Sequence, residues 1–540
     1  MTRHFLGIDV GTGSARTGVF DESGDLLSTA KHPIAIWHEA GGVVEQSSED
    51  IWRAVSRTVR QAVKDAGIAP ASIAGIGFDA TCSLVAVCQD GGPLSVSTSG
   101  DANRNIIVWM DHRAVVEADA INSGQHAVLR YVGGRISPEM QTPKLLWLKR
   151  HLPGQYQAAA HFFDLSDYLT WRATGSFSRS VCTVTCKWTY LAHEGRWDVD
   201  YFRAIGLADL ATDGFERIGT DIVAPGAALG TGLSSQAAAD FGLLVGTPVG
   251  AALIDAHAGG IGTLGAVENK TSGSADTGRR LAYIFGTSAC SMATTQQPTF
   301  VDGVWGPYFS AMVPGLWLNE GGQSAAGAAI DHLVSMHPAA PEIATRAKAE
   351  GLSLVAYLER AAARAGDDAA DLAGRIVVVP EFLGNRAPFA DPDARALIAG
   401  LTLDADEASL VAFYVAGLAG LGYGLRQLLD ALSDKAIDID LIMASGGAAN
   451  SPLVLQMIAD TTSTKVASVT SPEPVLLGAA MLGAVAGGCY RDISSAMGVM
   501  SRIAKVYRPA SGVIGERHDR RYQAFKLLQE TGRKLRDVNE

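Results

Sequence analysis

Asp9 ends an apolar run, residues 5–10, and a glycine-bearing turn, Gly11-Thr12-Gly13-Ser14, follows it directly. A second acid, Asp255, ends the apolar run of "GTPVGAALIDAHAGGIGTLG". The backbone N–H groups of a glycine turn suit terminal phosphates, and Thr12 and Ser14 add hydroxyls. A carboxylate beside phosphate is repelled unless a cation stands between them. Asp9 is therefore read as facing Mg²⁺ through water, because Mg²⁺ sheds its hydration reluctantly. The turn lacks a following Gly-Lys-Ser/Thr and the third glycine of a dinucleotide fingerprint, and a strand pattern follows it where a helix would be needed. Asp255, at the carboxyl end of a strand, has the placement of a base that takes a hydroxyl proton as that oxygen attacks phosphorus. The plain alternatives are an ordinary hairpin turn for the first motif and a helix cap for Asp255. His257 is read as structural.

Other segments carry groups suited to a polyol. "NIIVWMDHRA" places Trp109, Asp111 and Arg113 at alternating positions, which aims all three to one side if the chain is extended. An indole face would pack on C–H groups and the charges would bind hydroxyls; the plain alternative is a surface Asp–Arg pair near a core Trp. Thr81, Cys82 and Ser83 offer small polar groups at a strand edge. Lys187 lies in the apolar run "CTVTCKWTY", where a snorkelling surface lysine is the plain alternative. Glu320 precedes a glycine turn in "LWLNEGGQSAAGAAIDHL". Gly446 and Gly447, between a strand and a helix, would let backbone approach a flat ligand such as adenine-ribose.

These residues need elements to hold them. Residues 5–10, 15–20 and 26–33 read as a three-stranded meander, residues 48–66 as a helix, and "IAGIGFDATCSLVAV" as one further strand. "LAYIFGTSACSMAT" repeats the strand, Gly-Thr turn and strand of the opening, with Gly286-Thr287 echoing Gly11-Thr12 and Ile284 in place of Asp9. That weak repeat predicts two related domains facing one cleft. Expected domains are residues 1–270, 271–502 and a charged helical tail, 503–540. The nearly charge-free stretches 408–425 and 475–490 read as helices packed inside a large domain.

The 540-residue chain is 47% hydrophobic and 19% charged, with a net charge of −12, which argues against disorder and against a nucleic-acid partner. Neither a signal peptide nor a membrane span is expected. The six cysteines are scattered apart from Cys182 and Cys186, and no His or second Cys pair near them completes a zinc pattern. They are read as reduced, buried thiols of a cytoplasmic protein.

In order along the chain, "GIDVGTGSARTGVFD", "PKLLWLKRH", "LIDAHAGG", "FGTSAC", "EGGQSAAG", "NRAPFADPDARALIAGLT" and "SGGAANSP" resemble the FGGY family of carbohydrate kinases, from residue 5 to about residue 488. "GFDATCSLVAV" and "NIIVWMDHRA" look closest to pentulose kinases of the D-ribulokinase type. The resemblance implies an α/β fold of two ribonuclease-H-like, actin-like ATPase domains around a central cleft. It implies ATP and Mg²⁺ as cofactors, Asp9 and Asp255 near the metal, and Asp255 as base. Thr12, Ser14, Gly286 and Thr287 would hold phosphates, and Gly446, Gly447 and Asn450 would line the nucleotide pocket. Trp109, Asp111, Lys187 and Glu320 would face a small sugar, with Thr81, Cys82 and Ser83 nearby. The expected reaction is D-ribulose to D-ribulose 5-phosphate. Ribitol, L-ribulose, D-xylulose or glycerol are alternative acceptors, and a non-catalytic actin-fold ATPase is the rival from another class. A homodimer is a family expectation.

Overall fold

His4–Val10 is buried at every position, as a strand covered on both faces must be. The computed structural model, which describes residues 2–268 and 276–539, places it at the centre of a five-stranded sheet. The spatial order is Leu253–Ile254, Ile73–Ala80, His4–Val10, Ser14–Asp21 and Leu26–Pro33. His4–Val10 runs antiparallel to Ser14–Asp21 and parallel to Ile73–Ala80, in a register that sets Asp9 beside Asp79 and opposite Arg16. The expected helix forms as Ser48–Asp65, with Ser47 as N-cap accepting from the Asp50 N–H.

The later echo is a second sheet with the same wiring. Arg280–Phe285 runs antiparallel to Ala289–Thr295 and parallel to Leu441–Ser445. Trp317–Gln323 and Trp305–Phe309 extend that sheet on one side, and Lys465–Val469 and Ile503–Tyr507 on the other. Helix Glu407–Ser433 is long and apolar enough to cross a membrane, but 78% of its apolar window is buried, as the sequence reading of a packed helix requires.

Two expectations change. "IAGIGFDATCSLVAV" is two strands, Ile73–Ala80 and Leu84–Val87, in different sheets, and Thr81-Cys82-Ser83 is the break between them. The second strand belongs to an antiparallel sheet in the order Trp37–Glu39, Val43–Gln46, Ile106–Ile107, Leu84–Val87 and His161–Asp164. The segment 503–540 is no appendage: Ile503–Tyr507 pairs with Lys465–Val469, and helix Val513–Asn539 buries Tyr522 and Phe525 in the core under the second sheet. The division at residue 270 falls outside the described residues.

Helix Pro474–Ala486, though late in the chain, packs on the first sheet, across Ile73–Ala80 and His4–Val10. Helix Asp255–Leu264 packs in turn against it and against Arg280–Phe285. Gly7, Gly75 and Gly77 permit this approach: a Cβ on each would lie 1.9 Å from a carbonyl oxygen of Leu476, Gly483 and Ala479 respectively. Gly77→Ala should therefore push the helix off the sheet. The expected loss is about 1–3 kcal/mol or more, as for an overpacked core, read as a lower urea midpoint with an unchanged slope. An unchanged midpoint would show that the backbone contact yields freely.

Candidate active site

Three carboxylates meet at the carboxyl ends of adjacent parallel strands. Asp9 and Asp79 are register partners, and Asp255 follows Leu253–Ile254, whose Leu253 pairs with Asp79. Asp9 and Asp79 are buried, whereas Asp255 is half-buried. Asp255 is the first residue of helix Asp255–Leu264 and accepts from the Ala256 N–H at 2.7 Å. Ile254 holds the cap position, so Asp255 does not serve as the N-cap. Arg16 donates from Nε to Asp9 at 2.7 Å and from Nη1 to Glu473 at 2.8 Å, tying the acid to the residue before helix Pro474–Ala486. Both carboxylate oxygens of Asp79 are buried with no donor group on them; their close neighbour is the carboxylate of Asp9. Burial, then the charge of Asp9, pushes the Asp79 carboxyl well above the usual range. The same causes push Asp255 up to about 6.

Asp79 was not singled out from the sequence, although "IGFDA" carries the signature of an acid ending an apolar run that marks Asp9. Arg16 was missed too; it sits across the hairpin from Asp9, where a cross-strand pair is expected.

The opening turn closes through the Gly11 N–H to the Ser14 carbonyl at 3.1 Å. Gln46 Nε2 holds the Thr12 carbonyl at 2.7 Å, and Trp109 Nε1 donates to Thr12 Oγ1 at 3.0 Å. The Trp109 backbone N–H donates to Ser83 Oγ, which lies 3.2 Å from Thr81 Oγ1. Trp109 thus links the phosphate-type turn to the break between sheets. Cys82 lies in that break, and burial raises its thiol to about 12.

Asp111 and Arg113 behave differently from the expectation. Only Ile106–Ile107 is strand, so the alternation that would align them with Trp109 is absent. Asp111 is fully buried and accepts from the Val44 N–H at 2.6 Å and from Arg113 Nε at 2.9 Å, while Arg113 Nη2 reaches Glu45 at 2.8 Å. The pair is a satisfied internal brace, with Arg113 packed over the Trp147 ring at 4.9 Å, because buried charges must be paired where they lie. Nor is it the surface pair of the plain alternative.

Lys187 is not a snorkelling surface residue. It is 6% exposed on helix Val181–Trp188, with Nζ 4.6 Å from the Trp305 ring centroid. Arg386 covers the same ring at 4.4 Å and donates from Nη2 to Glu320 Oε1 at 2.6 Å. Burial disfavours the Glu320 carboxylate, but Lys187, the hydrogen bond from His257 and Arg386 outweigh it and hold its carboxyl below the usual range. Glu139 faces the same two cations and pairs with His112, which lower its carboxyl against burial. Arg386 comes from a loop without periodicity, and nothing in "NRAPFADPDAR" indicates that it reaches Glu320.

The second turn mirrors the first. The Gly286 N–H bonds the Ser288 carbonyl, and the Thr287 carbonyl accepts from the Ala326 N–H at 2.9 Å, just before helix Gly327–Ser335. Gly446 has φ 89° and no room for a Cβ, which would lie 2.5 Å from the Phe285 oxygen. At Gly447 a Cβ would meet nothing within 4 Å. The fold therefore needs the first glycine, and the second borders open space. Asn450 is exposed at the end of the short turn Gly447–Asn450.

Two sheets that share the wiring of five strands, each with a Gly-Thr turn in its leading hairpin and with acids at the strand ends of one, define a two-domain actin-like fold with a site suited to phosphoryl transfer. The FGGY carbohydrate kinase N-terminal domain matches residues 4–262 and the C-terminal domain residues 281–487, and the chain belongs to that family. It is 45% identical over 539 residues to the human FGGY carbohydrate kinase domain-containing protein, covering 98% of this chain and 96% of the relative. It is 37% identical over 513 residues to a D-ribulokinase of Saccharomyces cerevisiae, covering 90% and 72%. A solved xylulose kinase from Rhodospirillum rubrum shares the fold, with a TM-score of 0.80 at 21% identity and 99% of each chain covered. The protein is an ATP-dependent sugar kinase, and the reading as a non-catalytic ATPase falls away.

Proposed function

We propose that this kinase phosphorylates a ketopentose, D-ribulose foremost, at its terminal hydroxyl. The observation that carries the reading is the half-buried Asp255 carboxylate, set between the acid-bearing strand ends and the Lys187–Glu320–Arg386 group. The relationship to a named D-ribulokinase supports the choice of sugar.

Asp255 accepts the hydroxyl proton as the oxygen attacks the γ-phosphorus in line. Thr12, Ser14, Gly286 and Thr287 hold the phosphates, and Gly446, Gly447 and Asn450 border the nucleotide. Trp109 and Lys187 hold the sugar from the first domain, and Glu320 and Arg386 from the second. Domain closure keeps water from taking the phosphoryl group. Asp9 and Asp79, with Asp255, suit Mg²⁺: crowding of the three carboxyls, which raises those of Asp79 and Asp255, would be relieved by a divalent cation among their oxygens. When bound, Mg²⁺ supplies charge stabilisation at the transferring phosphoryl group. The six free thiols support a cytoplasmic setting, although only Cys82, Cys182 and Cys186 are buried as expected and Cys88, Cys290 and Cys489 are partly exposed.

A coupled ADP-release assay over D-ribulose, L-ribulose, D-xylulose, ribitol and glycerol should rank D-ribulose highest by kcat/KM. Failure on every ketopentose would overturn the sugar assignment.

A further inference from the structure

No histidine in the sequence completes a zinc pattern with Cys182 and Cys186, but the fold brings His257 to them. The two cysteines lie one turn apart on helix Val181–Trp188, so their sulfurs share a face. His257 reaches the same point from helix Asp255–Leu264. One ligand atom from each residue lies within 4.8 Å of the others, and all three side chains are buried. His257 Nδ1 is 3.0 Å from Cys182 Sγ, and Nε2 is 3.3 Å from Glu320 Oε2. When Nε2–H donates to that carboxylate, Nδ1 turns a lone pair to the sulfurs. The Ile254 N–H also donates to Cys182 Sγ at 3.5 Å. A carboxylate behind the imidazole and an amide on the sulfur are the supports that orient metal ligands.

We propose that Cys182, Cys186 and His257 form a binding site for a thiophilic divalent cation, zinc foremost, with a fourth position filled by water. Two sulfurs and an imidazole select zinc and its chemical neighbours, not Mg²⁺, which takes oxygen ligands. Bonds of about 2.3 Å to sulfur and 2.0–2.1 Å to nitrogen would set tetrahedral ligand atoms about 3.4–3.8 Å apart. The three ligand atoms lie within 4.8 Å of one another, which side-chain motion can bring to that spacing, and the Cys182–His257 contact of 3.0 Å must open by about half an ångström. Binding releases the two thiol protons to solvent. Lys187 follows Cys186 directly, and Asp255 stands two residues before His257. The metal would thus pin the helix that carries the sugar-side ammonium to the helix that begins with the base, as a tie and not as a reactant.

The test uses the full chain, reduced, stripped with chelator and kept free of Mg²⁺. Cobalt(II) should bind one equivalent with a thiolate-to-cobalt charge-transfer band that zinc abolishes. The band should be lost in C182S, C186S and H257Q and kept in C88S and C489S. Because a buried variant can fail to fold, the wild-type protein gives a second readout. After zinc loading, a mercurial thiol reagent should release one zinc per chain in step with modification of Cys182 and Cys186, located by mass spectrometry. No charge-transfer band in the wild type, a band that survives C186S, or zinc release that follows other thiols would each overturn the proposal. None of these readouts depends on which sugar is phosphorylated.

Discussion

Asp255→Ala is expected to lower kcat by about 10²–10⁴ while nucleotide affinity stays near wild type, the cost of removing a general base. Among the described residues its hydrogen bond is to the neighbouring Ala256 N–H, so the fold loses little with the carboxylate. Its environment also sets a pH signature. Burial and Asp9 raise the carboxyl to about 6, and only the ionised form accepts a proton. In the wild type, kcat/KM should therefore rise with pH up to about 6 and level above it, falling about tenfold per unit below. The residual activity of the alanine variant should lack that limb. Steady-state rates from pH 4.5 to 8, with nucleotide binding measured separately, decide the matter; near-normal turnover in the variant would remove Asp255 from the role.

Glu320→Gln should be nearly as damaging by a different route. Glu320 is 4% exposed, compensates Lys187 and Arg386, and accepts from His257. Removing one partner of a buried ion pair leaves the others uncompensated and costs about 3–5 kcal/mol. Glutamine keeps the volume and one acceptor oxygen, so the loss reports charge and not a cavity. The expected result is a lower unfolding midpoint and a sugar KM raised by at least tenfold, with a smaller change in nucleotide affinity. A variant within about 1 kcal/mol of wild type and with unchanged sugar KM would show that the cations are balanced elsewhere, by Glu139 across the cleft.

Much of the scaffold was legible because it rests on local pattern. The apolar run, tight turn and second run at residue 5 specify a hairpin by period and turn chemistry, and the same triplet at residue 281 exposed the repeat. Asp9 and Asp255 were legible as acids ending such runs. Asp79 and the Arg16–Asp9 pair were local and were passed over; the other contacts that escaped depended on pairing across long separations. Arg386 lies 66 residues from Glu320, and Arg16 lies 457 residues from Glu473. The alternation of Trp109, Asp111 and Arg113 misled because period two has meaning only in a strand, and the strand stops at Ile107. The continuous apolar reading through Thr81-Cys82-Ser83 failed because hydrophobicity cannot show that a chain leaves one sheet and enters another.

The late helix on the early sheet has a consequence for how the chain is made. On the ribosome, the strand Ile73–Ala80 emerges about 400 residues before the helix that covers it. At roughly 5–20 residues per second, that interval is roughly 20–80 s, during which one face of the first sheet stays open. The nascent N-terminal half is then a client for chaperones, and a fragment ending before Pro474 would keep that face bare and tend to aggregate.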